Sequence, residues 1–370
     1  MLHTMRKLGA ALAIVFMAAG ALYADGLAQG LDKQGQPDLK SAGPLAFGSD
    51  GVLFVGDPQG AAIFAIDTGD RSETSSRGPL TVEKVDAKIA SLLGTTPDKI
   101  LINDMAVNPA SGTAYFSVSR GRGPDAAPAI VRIDTTGKLS DLSLEKVKYA
   151  RAELPNAPGK DAKDRRGNSQ RQESITDLAY INGRVLVAGL SNEEFASKLR
   201  SIPFPFKATD AGASIEIYHA SHGKFETHSP VRTFAPYNLA GQEYLLAAYT
   251  CTPLVKIPLS ALEPGEKVKG TTIAELGNRN RPLDMVVYQK DGHDWLLMAN
   301  SSRGVMKIPT EGFENAEGLA KRVSDKAGVD YETIEGLQGV QHLDKDDKDR
   351  ALLLVRSESG QLNLQTVELP

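Results

Sequence analysis

Residues 245–258, Leu-Leu-Ala-Ala-Tyr-Thr-Cys-Thr-Pro-Leu-Val-Lys-Ile-Pro, lie without a gap on residues 296–309, Leu-Leu-Met-Ala-Asn-Ser-Ser-Arg-Gly-Val-Met-Lys-Ile-Pro. Each stretch reads as a strongly apolar strand, a small polar loop and a second strand that stops on Ile-Pro. The match extends outward, because each is preceded by another strand, 233–238 in one case and 283–289 in the other. Four further copies follow the scheme. The first has strands at 45–47, 52–55 and 63–67, the second at 102–107, 113–118 and 130–134. In the third, 175–181 and 184–190 flank Asn182-Gly183, a strong hairpin signal, and an insertion precedes a strand at 215–219. The sixth, at 339–343, 351–355 and 362–369, is the weakest.

Repeat starts fall near 44, 102, 175, 233, 283 and 339. A small sheet of this kind cannot cover both its faces, whereas a ring of them covers each with its neighbours and leaves only short edges. The expected fold class is therefore all-β, a β-propeller of six four-stranded blades with short helical insertions. Stretches such as 80–85 and 271–276 supply fourth strands. Residues 85–93 have helical spacing, and 192–199 read as a second short helix. The charged stretch 155–171 reads as a surface loop.

The chain opens with Arg6 and Lys7 followed by an uncharged run, 8–24, which ends in small residues. That pattern predicts a secretory signal peptide over 1–24, an N-terminal arm over 25–40 that closes the ring onto the last blade, and a propeller domain over 41–370. Export places the mature protein in the periplasm or outside the cell. No later run is apolar enough to span a membrane, so no transmembrane segment is expected in the mature protein. Cys251 is the sole cysteine, which excludes an internal disulfide, a c-type haem attachment and a thiolate cluster. With 42 basic and 46 acidic residues interspersed, nucleic acid is excluded as a partner.

Three inner strands carry an aspartate in the same place: Asp104 in Ile-Asn-Asp-Met, Asp177 in Ile-Thr-Asp-Leu and Asp284 in Pro-Leu-Asp-Met. The first, fourth and sixth repeats lack an obvious one. Equivalent positions of a ring converge on its axis, where carboxylates repel unless a hard cation or backbone N–H donors compensate them. Both compensations are open. Loops on the same face contribute Arg120, Asn192, Asn280, Asn300 and Arg303 as candidate ligand-binding residues. Ser-Arg-Gly recurs at 119–121 and 302–304. Such arginines can offer a guanidinium fork to a small anion, or pair with the aspartates. His219, His222 and His228 fall across a hairpin at the surface, its turn pointing outward, without the helix or glutamate of a zincin. Cys251 reads as a small buried hydrophobe.

Through Phe47-Gly-Ser-Asp-Gly-Val-Leu-Phe-Val and Asn108-Pro-Ala-Ser-Gly-Thr-Ala-Tyr the units resemble NHL-repeat proteins and the SMP-30/gluconolactonase class. The second resemblance implies Ca²⁺ or another divalent cation, with Asn103, Asp104, Asp177 and Asp284 as its ligands. Two functions follow. One is an exported binding or scaffolding propeller whose polar mouth takes a small anionic ligand or a protein partner. The alternative is a metal-dependent lactonase or arylesterase using the channel carboxylates.

Overall fold

The computed structural model describes residues 30–74, 77–123, 125–251 and 253–370. The signal peptide expected over 1–24 lies outside them, as does the first part of the arm. Among the described residues the strands pair into six sheets, each a four-stranded antiparallel blade, some carrying an extra edge strand. The inner strands, in chain order, are Leu45–Phe47, Ile100–Val107, Asp177–Ile181, Thr233–Leu239, Pro282–Lys290 and Val340–Lys345, and they define blades 1 to 6. No helix among the described residues is long and apolar enough to cross a membrane.

The hairpin logic holds locally. Asn182 and Gly183 both take positive φ, 50° and 74°, which lets Ile181 pair directly with Arg184. The second strands are the most apolar, and they are buried between blades: Phe54, Phe116, Leu186, Leu246, Leu297 and Leu353 are all at most 1 % exposed. Each such side chain contributes about 1.5–3 kcal/mol by leaving water. Val85–Leu92 forms the expected helix, and its Val85 and Ile89, one turn apart, pack with Leu352, Leu354 and Leu364 of blade 6.

Around the ring the blades do not follow chain order. The inner-strand contacts run 1, 3, 4, 5, 6, 2 and back to 1. After its third strand, Ala62–Asp67, the chain leaves blade 1 and adds Thr81–Val82 to the outer edge of blade 6. It then builds blade 2 and returns as Val147–Glu153, the fourth strand of blade 1, before starting blade 3. Two outer strands are thus lent across the seam. The stretch 80–85, expected as a fourth strand within its own repeat, closes the last blade instead. The arm does not close that blade: its Lys33–Gly35 pairs with Val147–Glu153 on blade 1.

Blade 3 also departs from expectation. The stretch 192–199 is not a helix, because Ser197–Pro203 is the third strand, paired along Arg184–Leu190. The strand Ala213–His219 is the fourth, followed by an edge hairpin to Lys224–Glu226. Lys198 and Arg200 are each 1 % exposed. Buried charges made this strand read as polar sequence.

Candidate functional site: the central channel and its mouth

The aspartates of the inner strands form a directional lattice. Asp104 Oδ2 of blade 2 accepts the N–H of Leu45 in blade 1 at 2.7 Å. Asp177 Oδ2 of blade 3 accepts that of Phe234 in blade 4 at 2.7 Å, and Asp284 Oδ2 of blade 5 that of Leu343 in blade 6 at 3.3 Å. A fourth, Asp344 of blade 6, accepts the N–H of Val107 in blade 2 at 2.8 Å. Every bond runs the same way round the ring. The other oxygen of each carboxylate takes the N–H of its own next residue, at 2.7 to 2.9 Å. Hydrogen bonds to a charged acceptor contribute on the order of 1.5–3 kcal/mol, so these side chains staple blade to blade.

The sixth repeat does carry the missing position. Inner strands 2, 5 and 6 share a register shift, at Ile102/Asp104, Pro282/Asp284 and Val340/His342, which brings His342 to the place of the other aspartates. Blade 6 stands between blades 5 and 2, and His342 Nδ1 lies 3.3 Å from Asp104 Oδ1 and 3.6 Å from Asp284 Oδ2. It is not aligned as a hydrogen bond to either, so the attraction is that of an ion pair. Burial lowers the pKa of His342, but the two carboxylates outweigh burial and bring it up to about 9. Burial raises Asp284 to about 6, with His342 opposing and Asp104 adding to the rise. Asp344 is pushed by burial to about 7, and Asp177 is raised by burial and then by Asp284 and Asp104.

Above this floor opens a cavity of about 400 Å³, lined by Asn103, Thr176, Arg122, Arg232, Arg281 and Gln341 among others. A second of about 240 Å³ adjoins it and shares Pro44, Asn103, Thr176, Arg232 and Arg281. Arg232 and Arg281 occupy matching places, immediately before the inner strands of blades 4 and 5. Arg232 reaches Glu173 and Thr250. Partial desolvation and then the neighbouring Arg232 charge hold Arg281 below its usual value, with Glu173 opposing. At the mouth Arg232 is paired with Glu173, and Arg281 feels both charges without an ion pair of its own to Glu173.

Of the residues singled out in the sequence, Asn103, Asp104, Asp177 and Asp284 converge on the channel. Asn103 donates its amide to Ala42 O and Ser119 Oγ. Asn280 and Asn300 are buried and hydrogen-bonded to each other at 3.0 Å, and Asn300 also accepts the N–H of Ser302, which shapes the loop between. Arg303 meets Asp325 and Asn278 O beside that loop. Arg120 and Asn192 are exposed and do not line either cavity. Sequence reasoning missed His342, Asp344 and Arg232. For Arg232 a signal existed: Arg232-Thr-Phe and Arg281-Pro-Leu both place an arginine at the entry of an inner strand.

A hard cation fits this floor poorly. Both oxygens of each aspartate already accept backbone N–H groups, Asn103 has its amide committed elsewhere, and an imidazolium occupies the place between Asp104 and Asp284.

No family model matches the chain. No curated protein matches it either. Among solved structures it is similar to the PQQ-bound aldose sugar dehydrogenase of Streptomyces coelicolor, at 13 % identity and a TM-score of 0.36, over 91 % of this chain and 97 % of that one. It is also similar to a proposed oxidoreductase (glucose dehydrogenase) from Thermus thermophilus, at 11 % identity and a TM-score of 0.35, over 90 % and 99 %. These likenesses carry no activity over to this chain, and its blade count rests on its own strand pairing.

Proposed function

We propose that this is an exported binding protein, acting in the periplasm or outside the cell, whose channel mouth takes a small carboxylate- or phosphate-bearing ligand. The observation that carries the reading is the pair of arginines, Arg232 and Arg281, that line both cavities, Arg232 paired with Glu173 and each charge felt by the other. An anion entering the cavity relieves their mutual repulsion, and guanidinium forks suit planar, two-oxygen groups. A cavity of about 400 Å³ matches a small molecule better than a protein segment.

The rival is the lactonase or arylesterase that the SMP-30 likeness implies, with a divalent cation on Asn103, Asp104, Asp177 and Asp284. It needs the carboxylates free, and His342 argues against it by supplying their positive charge from within the chain.

Thermal-shift and calorimetric titration with inorganic phosphate and a panel of small mono- and dicarboxylates tests the proposal. At least one is expected to bind, and Arg281→Gln to weaken it about tenfold or more, as loss of a charge-assisted pair does. Binding by none of them, or equal binding to the variant, overturns it. Turnover of a lactone or ester that requires added Ca²⁺ and is lost in Asp284→Asn would establish the rival instead.

A further inference from the structure

The edge hairpin of blade 3, far from the channel axis, gathers a second set of ionisable groups. Tyr218 pairs with Phe225 and Ile217 with Glu226 across it, which puts His219 and Glu226 diagonally on one face. His222, in the turn, folds back over the same face, and its ring lies 3.8 Å from that of His219, centroid to centroid. The hairpin lies at the surface with His222 exposed in its turn, as expected, but His219 is buried, and the glutamate that the His-x-x-His spacing lacked comes from the returning strand.

Both imidazoles turn Nδ1 towards one carboxylate. His219 Nδ1 is 3.0 Å from Glu226 Oε2 and His222 Nδ1 is 2.7 Å from Glu226 Oε1. One donor atom from each of the three residues lies within 4.8 Å of the others. A zinc ion about 2.0–2.1 Å from each ligand needs ligand atoms roughly 3.3 Å apart, a spacing the two histidine–glutamate pairs reach by opening a few tenths of an ångström.

The groups left over point the same way. His219 Nε2 and Glu275 Oε2 are buried and have no hydrogen-bond partner, and both residues are at most 3 % exposed. Glu275 Oε1 is occupied by the N–H groups of Ala220 and Ser221, at 2.6 and 3.2 Å. When His219 donates Nδ1–H to Glu226, its Nε2 is a bare acceptor in the interior, which is costly. With Nδ1 on a metal, Nε2 carries the proton, and Glu275, which feels the charge of His219 but is not in ion-pair contact with it, is the buried carboxylate that a side-chain rotation would bring to it. A carboxylate behind a metal-bound histidine is the usual second layer of such sites.

We infer that His219, His222 and Glu226 form a binding site for a first-row divalent cation, Zn²⁺ above all, with Glu275 supporting His219 from behind. Imidazole donors select such metals over Ca²⁺ or Mg²⁺. Three protein ligands leave a coordination position for water, open towards solvent on the side of His222, which is about half exposed. The site pins the hairpin onto blade 3 and is independent of any anion bound at the mouth.

The test is calorimetric titration of the chelator-stripped full chain with Zn²⁺ alone, backed by metal analysis after dialysis. One Zn²⁺ per chain is expected. His222→Ala, at a half-exposed turn position, is expected to weaken it more than about 100-fold, beyond the 10–100-fold typical of outer-layer changes. Glu275→Gln is expected to weaken it less, and Asp284→Asn in the channel not at all. Co²⁺ should give the visible absorption of a low-coordinate site in the wild type and lose it in His222→Ala. Absence of Zn²⁺ binding to the wild type, unchanged binding in His222→Ala, or loss confined to Asp284→Asn overturns the inference.

Discussion

Among the described residues two histidine–carboxylate clusters are built on opposite charge ratios. In the channel one imidazole, His342, stands between two aspartates, and the backbone of neighbouring blades supplies the remaining donors. On the edge of blade 3 two imidazoles share Glu226, and Glu275 of the neighbouring blade 4 accepts the N–H groups of Ala220 and Ser221. In the first cluster each oxygen of both aspartates has a backbone donor, and His342 Nδ1 is held by charge alone. Its cation is covalently part of the chain, and its anions are tied into ring closure. The second has acceptors left over, Glu275 Oε2 and His219 Nε2, in surroundings that exclude water. A self-compensated cluster serves the fold, whereas one with unspent acceptors serves something that arrives.

The comparison breaks most sharply at His342. His342→Gln leaves Asp104 and Asp284 facing one another without a positive charge, and loss of one partner from a buried pair costs about 3–5 kcal/mol. The groups line a channel and are 16–20 % exposed, so the expected loss is at the low end, about 3 kcal/mol. Urea unfolding at neutral pH measures it. Adding Asp284→Asn should recover part of the loss, because the repulsion goes with the second charge. A His342→Gln protein as stable as the wild type would show that the lattice of N–H groups compensates the aspartates alone.

Much of this was legible beforehand. Five repeats declare themselves because their second strands are apolar without interruption, and the aligned Asp104, Asp177 and Asp284 mark the channel. What stayed hidden has identifiable causes. The third strand of blade 3 carries Lys198, whose ammonium is satisfied internally by Glu193 at 2.6 Å and Ser214 at 2.8 Å, so charge at that place does not mean solvent. The inverted order of blades 1 and 2 depends on pairing between edges distant in the chain, Thr81–Val82 with Leu364 and Gln365, and two residues of strand leave no pattern. His342 escaped because a register shift, invisible in apolar periodicity, carries it to the aspartate position. The hairpin's third ligand escaped because Glu226 is seven residues from His219 and becomes its neighbour only when the strands pair.

A smaller effect separates the two clusters by pH. In the channel the shifts of His342, Asp284 and Asp344 are all upward. His342, raised to about 9, contributes stability that is complete below its unfolded pKa near 6.5 and is lost as pH rises through 9. Asp284 and Asp344, raised to about 6 and about 7, favour the fold while protonated, and that contribution is lost as pH climbs from 3.8 through those values. The channel thus withdraws stability with increasing pH, at up to about 1.4 kcal/mol per pH unit for each proton lost. Global stability measured from roughly pH 5 to roughly pH 9 should fall, and the alkaline part of the fall should vanish in His342→Gln. Asp104 is the further charge that sets these values, and Asp177, raised by Asp284 and Asp104, faces the same channel. A profile flat across that range would contradict the assignment of His342 as the internal cation.

The hairpin behaves in the reverse sense and at smaller scale. Burial raises Glu226, but hydrogen bonding with His219 and His222 outweighs it and takes the carboxyl down to about 2. Its contribution is present above the unfolded pKa near 4.5 and is lost as pH falls through 2, where the channel is at its most stable. Glu226→Gln should therefore cost about 1–2 kcal/mol at neutral pH, the range for leaving one of the two imidazoles without its acceptor. The cost should be local. Hydrogen exchange of the amides in Ala213–His219 and Lys224–Glu226 should quicken while those of Gln242–Ala248 and His293–Asn300 keep their protection, because the channel lattice lies on other strands. Quickened exchange throughout the ring would mean that the edge cluster is coupled to the staples of the channel, and that the two clusters are one network rather than two.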